Sequence, residues 1–92
     1  MSTFLIICHM SDTTRQLQMV NNIKEKRLWA RISDNAWCIR VEDNVTTAEI
    51  RDYLNAHYSI NETERLIVIN ITKSAWASYN LPSEVANWLK EK

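Results

Sequence analysis

From the amino terminus, Thr3 to His9 carries the run Phe4-Leu5-Ile6-Ile7-Cys8, apolar at nearly every position and of strand length. That pattern predicts a central strand covered on both faces. Ser11, Asp12, Thr13 and Thr14 then offer cap oxygens, and Leu17, Val20 and Ile23 recur at helical spacing, so a helix is expected from Thr14 to Lys26. Lys24, Lys26 and Arg27 fall at its negative end.

At Leu28 the period changes to two. Leu28, Ala30 and Ile32 alternate with Trp29, Arg31 and Ser33; after Asp34-Asn35, Trp37, Ile39 and Val41 alternate with Cys38, Arg40 and Glu42. This is a β-hairpin signal. A turn at Asp34-Asn35 sets Ile32 opposite Trp37, Ala30 opposite Ile39 and Leu28 opposite Val41 on one face. Trp29 then opposes Arg40, and Arg31 opposes Cys38, on the other.

Thr46-Thr47-Ala48-Glu49 reads as a capping box, followed by Ile50, Tyr53, Leu54 and His57 as the stripe of a second helix. Arg65 to Ile71 predicts a last strand, with a short further strand expected between Thr72 and Tyr79. Pro82 and Ser83 open a terminal helix with Val85, Trp88 and Leu89 inward and Lys90 and Lys92 at its end.

The order β-α-β-β-α-β plus a terminal helix is the ferredoxin-like arrangement, an α+β fold with a four-stranded antiparallel sheet in a single domain spanning 1–92. Two helices cover one sheet face and leave the other open. The predicted register places Trp29, Arg31, Cys38 and Arg40 on that open face, and a tryptophan there implies a nucleobase platform or a subunit interface. In the strand order 4-1-3-2 the last strand is an edge, with Ile67, Ile69 and Ile71 on one side of it. No proline, glycine or central lysine blunts that edge, so a homodimer is expected to cover it.

Eleven Lys+Arg balance eleven Asp+Glu, so no global field draws the chain onto nucleic acid or anionic lipid, and any such contact must be local. The chain contains no glycine, which excludes the P-loop, the dinucleotide fingerprint and the nucleophile elbow. Asn35, Asn44, Asn55, Asn61 and Asn80 are expected at turns in its place. The same balance favours interface over platform. Cys8 and Cys38 have no metal or redox spacing, and the first residues lack the basic start and length of a leader or membrane span, so a cytoplasmic protein with reduced thiols and no membrane partner is expected.

Few side chains suggest chemistry. His9 at a strand end could serve as a general base or soft-metal ligand, though a solvent-facing histidine is the plainer expectation. Cys8 and His9, being adjacent on a strand, point to opposite faces and cannot share a metal. His57 is expected at the core margin. Arg31 and Arg40 could bind phosphate, stack on bases or pair with acids across a dimer. Of the tryptophans only Trp29 is a candidate for binding; Trp37 and Trp88 align with packing positions.

The strings Trp29-Ala30-Arg31-Ile32, Thr47-Ala48-Glu49-Ile50-Arg51-Asp52-Tyr53-Leu54, Glu64-Arg65-Leu66-Ile67-Val68-Ile69, Ala75-Trp76 and Ser83-Glu84-Val85-Ala86-Asn87-Trp88-Leu89-Lys90 carry a resemblance over most of the chain. Together they resemble the small SinR-like proteins, grouped with the Cas-two-type CRISPR-associated proteins and the virulence-associated-protein-D-like toxins. The resemblance implies a homodimer with open sheet faces packed together, acting as a non-enzymatic, nucleic-acid-associated binding or assembly module in CRISPR or mobile-element defence, with nucleic acid or a protein as partner. Its interface would draw on Trp29, Cys38, Ile67, Ile69 and Ile71.

The same branch also implies an Mg²⁺-dependent endoribonuclease or toxin. Its proposed metal ligand is an aspartate at the end of the first strand, where this chain has Cys8-His9. Mg²⁺ prefers hard oxygen ligands and an imidazole is a poor substitute, so that reading loses its main anchor and must turn to Asp12, three residues on, or to His9; no cofactor is expected outside it. A third reading, a regulator binding a nucleotide-like ligand, rests on Trp29, Arg31 and Arg40.

Overall fold

The computed structural model describes residues 1–26 and 28–91, the side chain of Lys26 excepted. The elements are β1 (Ser2–His9), α1 (Thr13–Lys26), β2 (Leu28–Ser33), β3 (Ala36–Val41), α2 (Thr47–Tyr58), β4 (Arg65–Asn70) and α3 (Ser83–Lys90). They build one four-stranded antiparallel sheet in the order β2-β3-β1-β4, the α+β arrangement compatible with the expected ferredoxin-like fold and short terminal helix. The roles expected of Arg27, Lys92 and the Lys26 side chain lie outside the described residues. Among those residues no helix is long and apolar enough to cross a membrane.

The core forms between α1 and α2 and one face of the sheet. Phe4, Ile6 and Cys8 project from β1 beside Ile39 of β3, and Met19, Ile23, Ile50 and Leu54 close over them from the helices. Phe4 and Ile39 are entirely buried, and each such side chain contributes about 1.5–3 kcal/mol.

Local polar chemistry sets the helix ends. The carbonyl of Asp12 accepts from the Gln16 amide at 3.0 Å and its carboxylate from the Thr14 amide at 2.8 Å, which makes Asp12 the cap of α1. Both halves of the Thr46–Glu49 capping box are formed, each at 3.1 Å. At the other end of α2, Ser59 takes the left-handed conformation at φ 48°. Asn35 and Asn44 fall in turns as expected, and Asn80 takes a positive φ, which among the described residues Ser59 and Lys73 share. Asn55 lies inside α2, where its Oδ1 accepts from the Ile60 amide at 3.0 Å.

Four expectations need correction. The hairpin turn is placed correctly, with Ser33 opposite Ala36, but the next pair is Arg31 with Trp37, so Ile32 is an extra residue on β2. This bulge reverses the facing of everything before it: Trp29 now opposes Ile39 and Ala30 opposes Cys38. His57 is exposed, with Nδ1 2.9 Å from the Tyr53 carbonyl, so it lies outside the buried stripe of α2. Residues 72–79 form a turn and irregular chain with no strand. Finally, the second sheet face is only half open, because α3 packs over β2.

Candidate functional site

The surface chemistry divides between two sides of the sheet. On the side away from α1 and α2, β3 contributes Cys38 and Arg40, β2 contributes Leu28 and Ala30, β1 contributes Thr3, Leu5 and Ile7, and β4 contributes Ile67 and Ile69. The β2–β3 half is occupied by α3. Arg40 lies with its guanidinium carbon 3.8 Å from the centroid of the Trp88 ring, and its Nη2 donates to the carbonyls of Trp88 and, at 2.7 Å, of Glu91.

These are carbonyls at the helix end, where the backbone dipole is negative and intrahelical donors are lacking. A cation here holds α3 onto the sheet. Arg40 is consequently 8% exposed, and it is not the open phosphate ligand that the alternation suggested. Cys38 beneath the helix is 1% exposed, so it is closed off within the subunit and not presented at a dimer face. Burial pushes its thiol up to about 11, against a smaller opposing effect of Arg40. Cys8, on the opposite face, is likewise pushed up to about 11 by burial first and the Glu64 charge second. Neither cysteine has the lowered pKa of an activated nucleophile.

The β1–β4 half of the same face is bare. Ile67 is 51% exposed, and Ile7 and Ile69 are each 39% exposed, forming an apolar strip beside a sheet edge that no described strand covers. Ile71, just past β4, is half-buried, its amide donating to the Thr3 carbonyl at 2.9 Å. Trp76 is exposed and lines a hollow of about 500 Å³ with Thr3, Arg40, Ile71 and Leu89 at the margin of this face.

The remaining predicted residues are on the helix side. The bulge at Ile32 turns Trp29 and Arg31 toward α1, where the Trp29 and Trp37 rings lie 5.9 Å apart with their planes tilted by 55°. Lys24 of α1 stands over both rings, and Arg31 over Trp37 while pairing with Asp34. The structure therefore separates Trp29 and Arg31 from Cys38 and Arg40 by the thickness of the sheet. No single platform contains all four.

His9 is exposed at the end of β1 and Asp12 is committed to capping α1. Among the described residues no three His, Cys, Asp or Glu side chains come together as a metal-binding group.

The most elaborated polar group was not legible as a site. Glu64, its side chain fully buried, accepts from the Asn61 amide, the Ser11 amide and hydroxyl, and Arg15 at 2.8 Å. These bonds, the Asn61 amide foremost, hold its carboxyl down at about 2 although burial opposes them. Arg15 also donates to the carbonyls of Tyr58 and Ser59 at the end of α2. One buried ion pair thus ties together the start of α1, the end of α2 and the approach to β4.

No protein-family model matches the chain, and no curated protein or solved structure is significantly similar to it.

Proposed function

We propose that the chain is a non-enzymatic assembly module that works as a homodimer, two copies pairing along the β4 edge so that the bare half-faces beside it join into one apolar surface. The observation that carries this reading is the exposed strip of Ile7, Ile67 and Ile69 next to an edge strand with no charge between Leu66 and Ile69. Such an edge is a template for pairing with another chain.

A second copy suits it because the strand is self-complementary. Residues facing one another across an antiparallel pair share a sheet face, so a twofold axis must pass through a residue of β4. With the axis at Val68, Ile67 faces Ile69 of the partner subunit and Arg65 stays clear of its own copy. A stable interface needs about 800 Å² per partner, to which the exposed Ile67 and Ile69 contribute.

The Cas-two-type resemblance also implies a homodimer, though with sheet faces packed together where this reading pairs edges, and the expected nucleic-acid platform is not part of this reading. Arg40 is engaged inside the subunit, and Trp29 and Arg31 lie across the sheet. Nucleic acid, as a partner, would meet the assembled dimer and not a tryptophan-bearing open face. The endoribonuclease reading has no observation in its favour, since the Asp12 carboxylate caps a helix.

Sedimentation equilibrium at low micromolar concentration should give twice the chain mass. Ile69→Lys and Ile67→Lys, both at exposed positions that a folded subunit tolerates, should each give a folded monomer. A wild-type monomer at that concentration, or dimers unaffected by both substitutions, overturns the proposal.

A further inference from the structure

On the helix side of the sheet, the surroundings of Trp37 leave hydrogen-bonding capacity unused. Trp37 is 4% exposed and its Nε1–H has no partner; the Oε1 of Gln16 is also buried without one. Buried donors and acceptors are nearly always matched, because each lost water in folding must be replaced. Here one donor and one acceptor are unmatched, and both residues line the same hollow of about 490 Å³, within the range of small-molecule sites.

The rest of the lining has an apolar part, a cationic part and a polar rim of His9, Thr13, Asn35 and the Asp34 carboxylate. Met10, Leu17 and Val20 supply the apolar wall, and Leu17 is 57% exposed although it falls on the hydrophobic stripe of α1. Lys24 Nζ lies 5.1 Å from the Trp29 ring centroid and 5.6 Å from that of Trp37, and Arg31 also lies 5.6 Å from the Trp37 ring. Arg31 pairs with Asp34, whereas Lys24 has no carboxylate partner among the described residues. Among the described residues, the Lys24 charge is thus the one left unpaired around the hollow, Arg31 being matched by Asp34.

We propose that this hollow binds a small organic oxyanion carrying an apolar ring, a carboxylate or phosphate held by Lys24 and Arg31 with the ring against Leu17, Met10 and Val20. A polar atom of the ligand accepts from Trp37 Nε1–H, and a donor on it, or a water it traps, meets Gln16 Oε1. Such a ligand meets each unmatched group with the chemistry it lacks. The site lies on the opposite side of the sheet from the bare half-face and stands independently of the dimer.

The test is a titration of the ¹⁵N-labelled full chain followed through the Trp37 indole N–H resonance, assigned with Trp37→Phe. Phenyl phosphate and benzoate are the probes, with benzyl alcohol and inorganic phosphate lacking the charge and the ring respectively. At least one of the two ring oxyanions should shift the resonance saturably, the better of them identifying the head group. Lys24→Glu, at an exposed position, removes a charge-assisted contact and sets a carboxylate against the ligand's own charge, so it should weaken that binding by at least about tenfold.

An indole signal unmoved by either ring oxyanion at about 10 mM, far above any specific affinity, overturns the proposal. So does an equal response to benzyl alcohol or inorganic phosphate, or undiminished binding by Lys24→Glu. An indole proton that is already hydrogen-bonded and slow to exchange in the free protein also overturns it, because Gln16 would then have turned to close the pair without a ligand.

Discussion

Replacing Glu64 by alanine is expected to lower the thermal midpoint by at least about 10 °C, a large shift for a domain of this size. The substitution removes an acceptor from two backbone amides, a hydroxyl and a guanidinium at once. It leaves Arg15, only a quarter exposed, without its counter-charge. Removing one member of a buried pair is costly because the other stays desolvated. Glu64→Gln keeps the shape but places either an oxygen without charge or an amide N–H against Arg15, and should fall between.

The pH dependence has a definite sign. With its folded carboxyl at about 2 and the ordinary value at 4.5, Glu64 binds its proton in the unfolded chain first. Its contribution is complete above the ordinary value and is lost as pH falls from there through about 2. Asp43, lowered chiefly by the Ser2 hydroxyl, adds a slope of the same sign at an exposed position. Denaturant unfolding at pH 6, 4 and 3 should therefore show a steep acid loss in the parent and a shallow one in Glu64→Gln. A variant melting within about 3 °C of the parent, or with an unchanged acid slope, would remove Glu64 from its place as the tie between the two helices and β4.

The fold was legible because its signals are local and repeat. The β1 run, the Thr46–Glu49 box and the Asp34-Asn35 turn each specify an element from a few neighbouring residues, and the structure contains all three. Alternation, however, reports only that successive side chains point to opposite faces. It carries no mark of an inserted residue, so the extra Ile32 reversed the facing of Trp29 and Arg31 without altering the pattern that suggested a strand. The expected binding face lost Trp29 and Arg31 to that one residue, and Arg40 to the helix lying over it.

Longer-range chemistry was less legible still. Arg15 and Glu64 are 49 positions apart, and a lone arginine in a helix and a lone glutamate in a turn look like solvated charges until the chain brings them together. Two weak hints existed: Glu64 sits three residues after Asn61, whose amide it accepts from at 3.1 Å, and directly before an apolar strand. The third helix was read correctly as amphipathic, with Val85, Trp88 and Leu89 inward, yet its seat was not inferred. Ala30 opposite Cys38 is the reason it fits: two small side chains leave room on the sheet for a helix to lie.

That seat is secured from below by Arg40, and its removal should expose Cys38. The helix α3 has eight residues and none of them is fully buried, so it lacks the length to persist undocked and the burial to dock strongly. Arg40 supplies what is missing by stacking on Trp88 and donating to the carbonyls of Trp88 and Glu91. In Arg40→Ala those carbonyls lose their cation, and the cover over Cys38 opens. Burial is the larger influence on this thiol and the Arg40 charge the smaller, so exposure lowers its pKa from about 11 toward the ordinary 9.0 even though a cation has been lost.

Each unit of that fall raises the thiolate fraction about tenfold, and access to the reagent adds to it, so Cys38 should react with a disulfide reagent on the order of 100 times faster in Arg40→Ala than in the parent. Arg40→Lys, which keeps the charge but neither the planar stack nor the fork of donors, should give an intermediate rate. Cys8, beneath the helices of the opposite face, serves as the internal control: its rate should not change, which separates local release of α3 from unfolding of the domain. Equal acceleration at both cysteines would mean that Arg40 supports the whole fold, and no acceleration at Cys38 would mean that α3 remains seated without it.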